Sequence, residues 1–278
     1  MTEAVAERWE GATAAELAAR WGVPAVHLFS HVGSTNDVAR RLADSGAPAG
    51  TAVIADEQRA GRGRGGKGWA SAPGLGIWLS VILRPAALPA PGLLPILVGL
   101  AGAEALDPYV RPARVQLKWP NDLLLAERKV AGILCESAWE GERTPAVVAG
   151  IGVNVNHVPG DFPPELRDVA TSVRIAAGWE PPRAEIAGAL IAGIVRLAGE
   201  PPAQLPGAVM EALTSRDLLA GRAVEVSGAT VVAGTALGIS PGGALLVRTE
   251  SGALRTVRSG TVRFGPASAS QEPAQAGE

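Results

Sequence analysis

Residues 51–84 read TAVIADEQRAGRGRGGKGWASAPGLGIWLSVILR. The two ends, 51–56 and 76–84, are apolar and β-branched, and each reads as a buried strand. The middle, 60–69, packs five glycines into ten residues and cannot be regular helix or strand. Such a loop lets backbone approach a ligand closely, while Arg62, Arg64 and Lys67 can hold an anion. Trp69, just beyond, offers a planar face for a ring. Together these suit a ligand that carries both a phosphate and a base. The loop lacks the Gly-Lys-Ser/Thr ending of a Walker A loop and the strand–turn–helix setting of a dinucleotide fingerprint. A weakly nucleic-acid-binding Arg/Gly arm is the other reading of such a stretch, but this one lies between two core strands.

Working outward, Ser34-Thr35-Asn36-Asp37 is a capping cluster for an amphipathic helix that stops near Gly46. Residues 1–25 are rich in alanine and charge and read as one short helix or a frayed arm. On the other side, 93–106 reads as a helix with proline in its first turn, and 115–119 as a strand ended by Pro120. A hairpin is expected over 123–139, a strand over 145–156, and helices over 183–198 and 206–215. The uncharged stretch 85–103 carries four prolines, which suits a loop and a buried helix better than a membrane span. From 221 to 264 the pattern changes to short alternating strands broken by glycine, as in a small antiparallel barrel or sandwich. Residues 267–278 are expected to be disordered.

Composition narrows the classes. Of 278 residues, 47% are hydrophobic and 19% charged, with a net charge of −2, so a full core is possible and a globally basic nucleic-acid binder is excluded. A single cysteine, Cys135, excludes a disulfide framework and a multi-thiolate metal site, and no His, Cys and carboxylate set has zinc spacing. The N-terminus is acidic where a signal peptide would be basic, so a cytoplasmic protein is expected. Among 25 basic residues there are three lysines, Lys67, Lys118 and Lys129. A compact ammonium in a chain that otherwise uses arginine marks places where a point charge is wanted.

Four more stretches can carry chemistry, and each has a plainer reading. Lys118-Trp119-Pro120-Asn121-Asp122 can meet polyphosphate and Mg²⁺, or can be a polar turn that caps a strand. Lys129 opens the apolar run to Leu134, where Gly132 would let a ligand lie against the strand, or is an ordinary solvated lysine. Gly150-Ile151-Gly152-Val153-Asn154 clears one strand face and ends on an amide able to read a base edge, or simply packs and turns. Ser34, Thr35 and Asn36 can cap a helix, bind a polar head group, or do both.

With these segments in this order, over 26–264, the sequence resembles the biotin protein ligases. The matching stretches are Ser34-Thr35-Asn36, the run 57–64, the run 118–122, the run 129–134 with Glu136, and Gly152-Val153-Asn154. The resemblance implies a mixed α/β catalytic domain over 26–217, like that of class II aminoacyl-tRNA synthetases. It implies a Src-homology-3-like barrel over 218–266, a short arm over 1–25 and a tail over 267–278. It implies that biotin and ATP form biotinyl-5′-AMP, and that a lysine of a biotin carboxyl carrier domain of a biotin-dependent carboxylase then takes the biotin. ATP, Mg²⁺ and biotin would be the small molecules, with no tightly bound cofactor, no DNA and no membrane as partner.

By the same resemblance, Ser34, Thr35, Asn36, Gln58, Gly61, Arg62, Gly63, Arg64, Lys129 and Gly132 would hold biotin. Arg64, Trp69, Lys118, Asn121, Asp122 and Asn154 would hold ATP and the adenylate, with Asp122 near Mg²⁺. Arg64, Lys118 and Lys129 would be catalytic. Gly65-Gly66-Lys67 departs from the family's more arginine-rich loop. With about 25 residues before the core, the chain resembles the monofunctional members, which lack an N-terminal DNA-binding domain. The competing readings are a lipoate or octanoyl ligase of the same fold, a biotin sensor without transfer, and a nucleic-acid-binding module.

Overall fold

The computed structural model describes residues 3–138, 146–228 and 230–265. The expected tail at 267–278 lies outside them. In chain order the strands of the large domain are β1 (Ala4–Val5), β2 (Arg8–Trp9), β3 (Ala12–Thr13), β4 (Val26–Val32), β5 (Ala52–Gln58), β6 (Gly76–Leu83), β7 (Gln116–Lys118), β8 (Asp122–Leu125), β9 (Arg128–Ala138) and β10 (Ala146–Asn154). Its helices are α1 (Ala14–Trp21), α2 (Thr35–Asp44), α3 (Leu94–Val110), α4 (Val173–Ala177), α5 (Arg183–Ala198) and α6 (Gly207–Thr214).

Eight strands form one mixed sheet in the order β1-β4-β5-β6-β10-β9-β8-β7, with β4 and β5 parallel and the other pairs antiparallel. Strand alternation divides its side chains between two cores. Ala52, Ile54, Ile77, Leu79 and Val81 face the main core with α3 and α5, while Val53, Ala55 and Ile82 pack beneath α2 with Val38 and Ala39. The helical stretch Pro91–Val110 is long and apolar enough to cross a membrane, but its Leu94, Ile96, Leu97, Leu100 and Leu106 are buried in this main core, where it packs on α5. Apolar character on all sides is what a helix buried between a sheet and another helix requires.

The arm at the N-terminus is more than a short helix. From residue 4 it pairs β1 with the edge of β4, turns through a small hairpin of β2 and β3, and enters α1 behind a capping box of Thr13 and Glu16. Trp9 and Leu17 are buried in the main core, which explains why an alanine- and charge-rich stretch is folded: two large side chains anchor it.

Residues 216–218 run along β7, where the backbone of Leu117 bonds to Arg216 and Leu218. The chain then enters a second sheet of β11 (Ala223–Ser227), β12 (Val232–Ile239), β13 (Leu245–Arg248), β14 (Leu254–Val257) and β15 (Thr261–Phe264), all antiparallel. The two parts interlock. Trp119 Nε1 donates to the Gly243 carbonyl at 2.9 Å, and a Cβ at Gly243 would lie 2.6 Å from Leu93 Cδ2.

Candidate functional site

Gly132 on β9 and Gly152 on β10 are directly opposite each other in the register. Their missing side chains leave a shallow slot on the sheet, and the indole of Trp69 fills it. A Cβ at Gly152 would stand 2.5 Å from Trp69 Nε1, and one at Gly132 would stand 2.9 Å from Trp69 Cζ3. The strand surface expected to receive a ligand directly therefore receives the ring that follows the glycine loop. Nothing in the separate motifs signals that pairing, because it depends on the register of two strands.

The loop itself is a tight hairpin. Trp69 N–H donates to the Gly61 carbonyl and Gly63 N–H to the Lys67 carbonyl, with Gly65 and Gly66 both at positive φ at the tip. Two consecutive residues in that region favour glycine, which accounts for the Gly-Gly of this tip, although Ala126 and Glu127 adopt positive φ in succession in the turn between β8 and β9. Arg62 leaves the loop to make a two-pronged bond with Asp37, at 2.7 and 2.6 Å, which holds the Asp37 carboxyl below its usual range. Arg64 reaches across to donate to the Gly260 carbonyl of the small sheet at 2.8 Å.

Beside the loop lies a polar cluster under the N-terminus of α2. Gln58 Oε1 accepts from the N–H and the hydroxyl of Thr35, and Gln58 Nε2 donates to Ser71. The single hydroxyl proton of Ser80 is shared between Thr35 Oγ1 at 2.8 Å and Asn36 Oδ1 at 2.6 Å, while Asn36 Nδ2 donates to Glu136 and to the Leu134 carbonyl. Asn36 thus spends its amide inside the protein. Ser34 is different: its side chain makes no cap bond although it precedes α2, and it lines the cavity. The capping alternative therefore fails for its hydroxyl, which remains available to a ligand.

Charge gathers at the opposite end. Lys129 Nζ lies 2.6 Å from Asp122 and 5.2 Å above the Trp69 ring. Burial lowers the pKa of Lys118, partly offset by Asp122, and Phe264 of β15 lies 5.0 Å from its ammonium. Asn121 and Asn154 are turned to the backbone: Asn121 Nδ2 donates to the Ile133 carbonyl and Asn154 Nδ2 to the Thr171 carbonyl. Cys135 is half-buried on β9, its thiol pushed up to about 12 by burial and the nearby Glu136, which leaves it protonated and unreactive. Among the described residues no group of three or more His, Cys, Asp or Glu is placed to hold a metal.

These groups share one cavity of about 1040 Å³, closed by the loop, by residues 157–170 and by 259–264 of the small sheet. Ser34, Thr35, Asn36, Gln58, Arg62, Gly63, Arg64, Trp69, Lys118, Asn121, Asp122, Lys129, Gly132 and Asn154 all line it. Gly61 does not; it lines a neighbouring cavity of about 520 Å³ on the far side of the loop.

Two aromatic residues of the wall were not among the expected site residues: Phe162, and His157, which as an unclustered histidine reads from sequence as an ordinary surface or core residue. His157 stacks on Phe162 at 4.9 Å and meets the edge of Trp78. Burial lowers its pKa to about 4, and it is 4% exposed. A base kept neutral in the fold binds fewer protons than it does unfolded, so stability rises with pH from about 4 to 6.5. The unfolding free energy from denaturant titrations across that window should fall on acidification by up to about 3 kcal/mol. His157→Gln should flatten the slope; an unchanged slope would assign it to another group.

Comparison with known proteins agrees in both parts of the chain. Residues 28–154 match the model of the biotin/lipoate A/B protein ligase family, and 220–265 match the biotin protein ligase C-terminal domain. A biotin protein ligase from Aquifex aeolicus, solved as a mutant in complex with biotin, is 30% identical, with a TM-score of 0.70 over 86% of this chain and 98% of that one. The chain belongs to the biotin protein ligase family. The Aquifex aeolicus biotin protein ligase in complex with biotin and ATP superposes with a TM-score of 0.72 at 29% identity, over 86% of this chain and 99% of that one. The bifunctional ligase/repressor BirA of Bacillus subtilis is 43% identical over 163 residues, 58% of this chain and 50% of that protein. The biotin--[acetyl-CoA-carboxylase] ligase of Mycobacterium tuberculosis is 39% identical over 169 residues, 59% of this chain and 60% of that protein. The match thus spans about half the length of these curated relatives.

Proposed function

We propose that this chain activates biotin with ATP and transfers it to a lysine of a biotin carboxyl carrier domain. The observation that carries this reading is the single cavity on which the glycine loop, the Ser34 cluster and the two buried-side lysines converge.

In the first step a biotin carboxylate oxygen attacks the α-phosphorus of ATP, and the bond to the β-phosphate breaks with its electron pair leaving on pyrophosphate. Ser34, with its unspent hydroxyl, and the Thr35–Gln58 pair hold the polar ring of biotin, and the cavity wall at Trp69 and Leu134 takes its chain. Lys129 opposes charge on the carboxylate and α-phosphate, Arg64 joins it from the loop, and Lys118 faces the departing phosphates. Trp69 offers its face to the adenine. Asn121 and Asn154 contribute by fixing backbone around the nucleotide, as their hydrogen bonds indicate. Mg²⁺ is commonly held by one or two carboxylates together with substrate phosphates, and Asp122 suits a metal that arrives with ATP. In the second step the carrier's amine attacks the acyl carbon and AMP leaves. The enzyme needs no covalent nucleophile, and closure of the loop would keep water from the anhydride.

The test is transfer of labelled biotin, with ATP and Mg²⁺, to a purified carrier domain, with lipoate as competitor. Labelling that lipoate does not suppress is expected. Pyrophosphate release without labelling would leave the transfer half wrong, and competition by lipoate would favour the related lipoate ligase activity. Failure to bind biotin at all would overturn the reading.

A further inference from the structure

Arg183 opens α5 and is 6% exposed although charged. Its Nη1 donates to Asp56 Oδ1 and to the Gly76 carbonyl, both at 3.0 Å, and its Nε and Nη2 donate to Glu10 Oε1 at 3.1 and 2.5 Å. The Trp9 ring lies 5.2 Å from the guanidinium. One side chain therefore ties the β2–β3 turn, the end region of β5 and the first residue of β6. Buried ion pairs add little net stability, because desolvation offsets attraction. What such a fork does supply is fixed geometry among its acceptors.

What it fixes leads into the cavity. The Asp56 carbonyl accepts from Trp78 Nε1 at 3.1 Å, and a Cβ at Gly76 would strike the Trp78 ring at 2.3 Å. Trp78 is wholly buried, and its indole meets Trp69 edge-on at 6.4 Å and His157 at 6.1 Å. Both of those rings line the cavity; Arg183, Asp56 and Trp78 do not. We propose that Arg183 is a positioning residue, which sets Trp78 through Asp56 and Gly76 and so places Trp69 for the flat ring of the nucleotide. This rests on the ligase reading for its substrate.

The test compares Arg183→Met and Arg183→Lys with Arg196→Met, which removes an exposed partner of Glu104 far from this chain of contacts. All are assayed well below their melting temperatures by pyrophosphate release. Arg183→Met should raise KM for ATP about tenfold while KM for biotin and kcat stay within about threefold. Arg183→Lys, with charge but no planar fork, should fall between, and Arg196→Met should match wild type. Hydrogen exchange at 68–71 should quicken in Arg183→Met, a reading that needs no turnover and stands even if wild type does not consume biotin and ATP. An unchanged KM for ATP, a uniform change in all three constants, or unchanged exchange at 68–71 would overturn the proposal. If Arg183→Met does not fold, Asp56→Asn, which keeps the size and loses one charged acceptor, is read by the same criteria.

Discussion

Lys129→Ala should slow pyrophosphate release from biotin and ATP by about 10²- to 10³-fold, the usual cost of removing one pre-placed charge from a developing anion. The geometry makes the loss specific. Lys129 stands at the start of β9, its ammonium held between Asp122 at 2.6 Å and the Trp69 ring at 5.2 Å. These two contacts give the ammonium a fixed place on the cavity wall. Its side chain is still about a third exposed, and such pairs contribute about 1 kcal/mol or less to stability. The variant should therefore melt near wild type, which separates lost chemistry from lost fold. Lys129→Arg should recover only part of the rate, because a planar fork cannot occupy the place of a compact ammonium between Asp122 and an indole. Retention of the rate within about threefold in Lys129→Ala would remove this residue from the reaction.

The sequence made the scaffold legible because each element carried its own signal. The apolar runs of β5, β6 and β10, the proline-led α3 and the change of period near residue 221 need no tertiary knowledge. Residues 3–25 were harder, since their fold depends on where Trp9 and Leu17 are buried and on a partner, Arg183, far along the chain. The site was legible as a set of residue types and not as a set of contacts. Arg62 was legible as a possible anion ligand but not as the partner of Asp37, and Asn36 as a possible ligand contact but not as the partner of Ser80, Leu134 and Glu136; both line the cavity. Asp37 was visible, but only as part of a cap. A histidine with no metal partner nearby, such as His157, gives no signal until the strands bring Trp78 and Phe162 around it.

Two glycines on one strand should separate fold from binding. Gly150 and Gly152 lie on the same face of β10, yet they meet different neighbours. A Cβ at Gly150 would come 2.2 Å from Asn36 Oδ1 and 3.0 Å from the Leu134 carbonyl. Asn36 cannot retreat without leaving Ser80, Leu134 and Glu136, and backbone blocks the other side. Overpacking of this kind costs about 1–3 kcal/mol and each buried hydrogen bond lost adds about 1 kcal/mol, so Gly150→Ala should lower Tm by roughly 5–10 °C. At Gly152 the same methyl meets Trp69 Nε1 at 2.5 Å, an N–H with no hydrogen-bond partner on a ring that is not fully buried. That ring is held by packing and by no hydrogen bond of its own, so it yields more readily than Asn36, and Gly152→Ala should cost less stability than Gly150→Ala. With Trp69 stacked on the nucleotide as proposed, moving its ring should raise KM for ATP by about tenfold or more. Thermal melts beside initial rates for the two variants decide the matter. Equal losses of Tm would show that Trp69 is as rigidly held as Asn36, and that the slot between Gly132 and Gly152 serves packing instead of binding.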